Sequence, residues 1–300
     1  MSRYINPFTD FGFKKLFGEE ANKDLLIDFL NGILDENYQI KELVYKKTER
    51  LGYNDSERKA IFDLYCENNK GEKFIIELQK AKQKFFKDRS LFYSTFPIQE
   101  QANQGEWDFE LKAVFTIGIL DFRFEDNDKD KVQVNVKLKD LETNEVFYDK
   151  LTFIYLQMAN FNKSIDDLET HYDKWLYLLK NLSRLEEIPL KFREKTFEKL
   201  FNLAEIASYN KVELSNYQDS LKSHNDLKNS LDTSKEEGRE EGREEGIEIG
   251  KEIGKLEGIN IGEYNKAIKV AKILLKLNQS IENIIAATDL TEKQIKDLKK

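Results

Sequence analysis

The sequence predicts an α/β protein, a mixed sheet flanked by helices, followed by a helical subdomain and a long helical tail. Three observations carry that expectation. Between Ile40 and Leu156, short runs rich in β-branched and aromatic residues alternate with stretches of helical periodicity. After Ser164 the β character stops, and apolar residues recur at three- and four-residue spacing. Gly238, Gly242, Gly246, Gly250, Gly254, Gly258 and Gly262 then follow one another at intervals of four in a charged segment.

The first elements are helical. TDFGFKKLF offers Thr9 or Asp10 as an N-cap before the apolar stripe of Phe13, Leu16 and Phe17. Leu25, Leu26, Phe29, Leu30, Ile33 and Leu34 define an amphipathic helix over about Asn22 to Leu34. Ile40 to Thr48 reads as the first strand. Ile61 to Cys66 and Lys73 to Leu78 flank the turn signal NNKGE, which predicts a β-hairpin with a loop at Asn68 to Glu72.

Gln83 to Gln104 carries Phe85, Arg89, Phe92, Tyr93 and Phe96 at helical spacing, with Pro97 expected to kink or end the helix. Leu111 to Phe122 is nearly continuous apolar sequence, as in a strand buried on both faces. Val132 to Leu138 and Val146 to Leu156, joined by LETNE, should extend the sheet as a second hairpin. Helical stripes follow at Leu168 to Leu179 and Phe192 to Ile206. The expected division is therefore 1–160 for the α/β core, 161–232 for the helical subdomain, 233–263 for the glycine repeat and 264–300 for a helix-turn-helix-like end.

The chemistry concentrates in the first hairpin. A five-residue loop centred on Lys70 places Asp63 directly across from Glu77, where Cβ atoms lie roughly 5 Å apart and like charges destabilise the sheet. A cation between them reverses that effect. Strand alternation puts Gln79 on the face of Glu77, while Phe74, Ile76 and Leu78 turn to the other. Hard oxygen donors of this kind suit Mg²⁺, with Mn²⁺ as a substitute. A half-exposed hairpin whose polar residues simply face water satisfies the same spacing.

The pattern D-x(13)-E-x-Q on adjacent strands resembles the PD-(D/E)XK nuclease core, with Gln79 where lysine is usual. TDFGFKKLFG, FIIELQ, FFKDRSLFYST, QANQG and a strand ending ILDF follow in an order similar to that of the PD-(D/E)XK family transposases, related to the recombination-promoting nucleases. The resemblance covers residues 3–125 closely and extends to the glycine-repeat tail. It implies a restriction-endonuclease-like core, a metal held by Asp63, Glu77 and the Leu78 carbonyl, and a water oriented by Gln79. Asp10 becomes a third acid and Lys14 a phosphate contact, although a plain helix cap explains Asp10 equally well. Arg89 and Tyr93 become companions of the site, against the plainer reading of a surface arginine and a core tyrosine.

Composition narrows the function further. The chain has 300 residues and a net charge of −8, which argues against indiscriminate nucleic-acid binding by the whole surface. Charge is uneven, however. Lys80, Lys82, Lys84, Lys87 and Arg89 against Asp88 make a net +4 directly after the hairpin, so Lys82, Lys84, Lys87 and Arg89 are expected to meet DNA phosphates. One cysteine and two histidines exclude an intrachain disulfide and a zinc cluster. No apolar run approaches the roughly 18 residues of a membrane span, and Met1 to Asp10 lacks a signal-peptide core, so a cytoplasmic protein is expected.

Seven glycines inside a helix cost on the order of 1 kcal/mol each relative to alanine. Their stripe admits a neighbouring backbone, and a homo-oligomer through this helix is one expectation. A flexible charged linker is the other. The end of the chain predicts three short helices, the last opening with the capping box Thr291 to Gln294. Its net +4 is compatible with DNA binding or with an ordinary helical hairpin. The function expected is a metal-dependent DNA endonuclease of recombination or transposition. The alternative is a catalytically weak or inactive nuclease fold serving as a nucleic-acid-binding or oligomeric interaction module.

Overall fold

Eight strands lie within residues 2–50, 60–102, 108–124 and 130–298, the parts of the chain that the computed structural model describes. They are β1 (Leu43–Tyr45), β2 (Glu49–Arg50), β3 (Ala60–Ile61), β4 (Leu64–Asn68), β5 (Lys73–Gln79), β6 (Val114–Leu120), β7 (Gln133–Lys139) and β8 (Val146–Gln157). β2 and β3 pair with each other, and the remaining six form one sheet in the order β1-β4-β5-β6-β8-β7. The β5–β6 and β6–β8 pairs are parallel and the others antiparallel, so the sheet is mixed.

Local chemistry explains the register. In the turn after β4, Asn68 Oδ1 accepts from the Lys70 and Glu72 N–H groups at 3.0 Å each. Gly71 adopts φ of 81°, a left-handed conformation without steric penalty for glycine. β6 occupies the centre because all seven of its residues, VFTIGIL, are buried, which only a strand covered on both faces tolerates. β1 is shorter than expected because the Asn31 carboxamide takes both the N–H of Ile40, at 2.7 Å, and its carbonyl, at 2.9 Å. Ile40 therefore makes its bonds outside the ladder.

The helices are α1 (Asp10–Phe17), α2 (Lys23–Ile33), α3 (Phe86–Gln99), α4 (His171–Asn181), α5 (Lys195–Ala204), α6 (Lys211–Lys276), α7 (Ile281–Thr288) and α8 (Glu292–Asp297). α3 makes the crossover from β5 to β6 and packs on one face of the sheet, where Tyr65 and Ile75 meet Tyr93 and Phe96. Pro97 does not end it early: the helix closes at Gln99, with the proline already in its last turn. Helices α1, α2, α4 and α5 cover the opposite face. There Phe17, Phe29 and Trp175 lie within 5.8 Å of one another, centroid to centroid. The residues expected to form a helical subdomain share one buried cluster with Phe74, Ile76 and Phe115 of the sheet.

Two compact units result, Met1–Lys228 and Asn229–Lys300. In the second, Ala271, Ile284, Leu290 and Ile295 are buried together. Ser280 caps α7, and Thr291 with Gln294 forms the capping box of α8. The glycine repeat is helical, and nothing lies within 4 Å of where a Cβ would stand at any of its seven glycines.

Candidate active site

The register pairs Leu64 with Ile76 and Glu67 with Lys73, so one step further Asp63 falls opposite Glu77. The chain does not take that step as a strand. It bends at Asp63, and Asp63 Oδ2 accepts a hydrogen bond from Leu78 N–H at 2.7 Å. A continued ladder would direct that donor at the carbonyl of Phe62. Phe62 N–H instead bonds to Thr48 O at 3.0 Å. In return Glu77 Oε1 accepts from Asp63 N–H at 3.3 Å. Each carboxylate is thus fixed by backbone from the opposite strand through one of its two oxygens.

Electrostatics mark the pair. Burial, reinforced by the charge of Asp63 and opposed by that of Arg89, pushes the Glu77 carboxyl up to about 8. Burial also raises Asp63, against the Leu78 N–H bond, with Asp10 adding to the rise and Lys14 and Lys80 opposing it. Two desolvated, mutually repelling carboxyls are poorly stabilised as anions by their own surroundings. Their oxygen donors fit a hard divalent cation, which relieves both effects.

Toward α3, Glu77 and Gln79 share the face of Ile75. Gln79 is buried, its Nε2 donates to Ala81 O at 2.8 Å and its Oε1 accepts from the Arg89 guanidinium. Arg89 also donates to Gln83 Oε1 at 2.5 Å and stacks 5.6 Å from the centroid of Tyr93. The Tyr93 hydroxyl titrates above its ordinary value through burial and the charge of Glu77. Arg89 and Tyr93 thus both lie within the electrostatic field of Glu77. Gln79 stands beside the acids with one protein hydrogen bond at each end of its amide, which leaves one N–H and one lone pair without a protein partner in these bonds.

Toward α1, Thr9 caps the helix by accepting from Gly12 N–H at 3.0 Å. A Cβ on Gly12 would stand 2.2 Å from the Asn6 carbonyl oxygen, so only glycine lets the helix start pack on the preceding turn. The first turns of α6 clamp the same segment: Tyr217 Oη accepts from Asn6 N–H and Ser220 Oγ from Phe11 N–H, each at 3.0 Å. Asp10 is exposed and ion-paired with Lys14 at 3.1 Å. A cleft of about 590 Å³ opens here, lined by Asp10, Lys14, Asp63, Asn216 and Asp219 among others.

Asp10 thus shares the cleft and the electrostatic field of Asp63. Among the described residues, however, no three His, Cys, Asp or Glu side chains gather closely enough to hold a metal ion.

Lys80 is a residue that sequence reasoning does not single out. It is half-buried at the end of β5, and burial draws its ammonium below the ordinary value against the pull of Asp10 and Asp63. Its one signal in the sequence is adjacency to Gln79, and a run of five cations hides it. Lys82, Lys84 and Lys87 are exposed beyond it.

A mixed six-stranded sheet with flanking helices and a helical crossover has the architecture of the PD-(D/E)XK nuclease class. A profile of the PD-(D/E)XK nuclease family transposases matches residues 7–234, and the chain belongs to that family. No curated protein and no solved structure matches it significantly.

Proposed function

We propose that the chain is a divalent-metal-dependent DNA endonuclease acting in recombination or transposition in the cytoplasm, with Mg²⁺ as the metal and Mn²⁺ as a substitute. The observation that carries this reading is the opposed pair of Asp63 and Glu77, each raised by burial and held by the other strand's backbone. Asp63, Glu77 and the Leu78 carbonyl would hold the ion. When bound, it polarises the phosphodiester and lowers the pKa of the attacking water.

The chain's own residues do the rest. Lys80 supplies the ammonium that an amide at position 79 lacks, and its charge reaches Asp63 together with that of Lys14. Charge placed there stabilises the anionic phosphate. Arg89 holds Gln79 in place and opposes the rise of Glu77, which favours the ionised form that a metal ligand needs. Lys14, Lys82, Lys84 and Lys87 contact phosphates and set the strand's path. The glycine-repeat helix pairs chains into a homo-oligomer.

An uncharged amide at position 79, where lysine is usual, favours the second reading, a nuclease fold of weak turnover that acts by binding. Cleavage of plasmid DNA by highly purified protein, with Mg²⁺ and with chelator, decides between them. Metal-dependent cleavage that Asp63→Ala and Glu77→Ala abolish, and that Lys80→Ala reduces by ten-fold or more, is the expected result. Cleavage that persists in both acid variants assigns it to another site. No cleavage by the wild type leaves the binding module.

A further inference from the structure

Between the basic loop and α3, the surface carries two phenylalanine rings that the core does not use. Phe85, at the N-cap of α3, is 64% exposed, and Phe92, two turns along, is 44% exposed. They line a groove of about 620 Å³ with Gln83, Lys84, Asp88 and Arg89. Lys84 Nζ stands 5.5 Å from the centroid of Phe85. Phe92 is held edge-on by Phe96 at 5.2 Å, so its exposed face is fixed in direction. Arg89 belongs both to this groove and to the active site through Gln79.

Flat apolar faces framed by cations suit a ligand with a π-face and a negative charge on either side. Nucleotides in a strand have that pattern, and alternating aromatic and basic side chains are how sequence-tolerant single-strand grooves are built. A base inside a duplex has both faces covered by its neighbours, so only an unpaired base can enter. The net +4 of residues 80–89 complements the flanking phosphates.

We propose that the groove of Phe85 and Phe92 is a stacking subsite for an unpaired nucleobase, placed one step from the scissile phosphate by Arg89. The site thereby selects single-stranded or frayed nucleic acid over closed duplex. This rests on the nuclease reading for its position relative to the acids, while base binding itself stands independently.

The test uses the full-length protein in chelator, so that nothing is cut, with oligonucleotides carrying 2-aminopurine, either single-stranded or annealed to a complement. Wild-type protein should bind the single strand more tightly than the duplex and quench or shift the 2-aminopurine emission on binding. The double variant Phe85→Ala/Phe92→Ala should lower single-strand affinity about 5- to 100-fold, reduce the single-strand to duplex ratio accordingly and remove the quenching. Leu91→Ala, on the same helix but outside the groove, should do neither. In Phe85→Trp the indole emission should be quenched by the single strand, a readout that does not depend on losing affinity.

Equal losses for single strand and duplex in the alanine variant, or an indole that the bound strand leaves unquenched, overturn the proposal. The two readings separate cleanly. Quenching without any metal-dependent cleavage removes the endonuclease and keeps the subsite, whereas Asp63-dependent cleavage with an unaltered strand ratio in the alanine variant does the opposite.

Discussion

Removing the charge of Glu77 while keeping its shape, in Glu77→Gln, stabilises the metal-free protein above about pH 5. Burial and the charge of Asp63 lift this carboxyl from 4.5 to about 8 in the folded chain, whereas in the unfolded chain it returns to roughly 4.3. Between those values the folded state keeps a proton that the unfolded state has lost. Stability therefore falls as pH rises through this window and stops falling above the folded value. At about 1.4 kcal/mol per pKa unit the whole swing is roughly 5 kcal/mol, an upper limit because water entering the site relieves part of it. For a unit of this size that is a shift in Tm of roughly 10–20 °C. Thermal unfolding in chelator from pH 5 to 9 measures it. Wild type should decline across the series and Glu77→Gln should lose most of that slope. Mg²⁺ at pH 8 should restore the wild type by binding its folded state, with little effect on the variant. A wild-type profile that is flat or rising between pH 5 and 8, or a variant that falls as steeply, refutes the reasoning.

Asp63 should behave differently from its partner: Asp63→Asn keeps an acceptor for Leu78 N–H, while Asp63→Ala orphans it and should be about 1–3 kcal/mol less stable in urea denaturation. Gln79→Lys, which fills the usual lysine position, should lower cleavage because its ammonium meets the Arg89 guanidinium; single-turnover kinetics at equal or higher rate than wild type would show that Arg89 can turn away. Changing Lys82, Lys84 and Lys87 to Gln should flatten the dependence of log affinity on log salt by roughly 0.9 for each phosphate that is no longer neutralised, with the calorimetric response to Mg²⁺ unaltered.

The parts of the fold governed by neighbours in sequence are legible from it. Asn68 and Gly71 specify the turn of the first hairpin, and that turn alone sets Asp63 across from Glu77. VFTIGIL marks the central strand because polar residues are nearly missing from both of its faces. The capping box of α8 rests on two residues three apart. What is not legible depends on neighbours far along the chain. The clamp of α6 on the start of α1 joins Tyr217 to Asn6, and no local pattern announces it. Phe85 has the spacing of a core aromatic and is exposed all the same, since periodicity tells which residues share a face but not whether anything covers it. Spacing alone does not reveal a partner for the Gln79 amide, because that partner, Arg89, lies on the next element. Lys80 acquires meaning only when the bend at Asp63 brings a carboxylate into its field.

That bend ties chemistry to architecture. Asp63 ends a strand by substituting its own side chain for the next carbonyl in the ladder, so the carboxylate proposed as ligand is also the hem of the sheet. A lineage drifting toward a purely adhesive protein could discard Glu77 and become sturdier for it. Discarding Asp63 would fray the sheet. Of the two acids, then, the one opposite the ladder's last donor is the one that inheritance should keep longest, and an aspartate or asparagine surviving there is no proof that the blade still cuts.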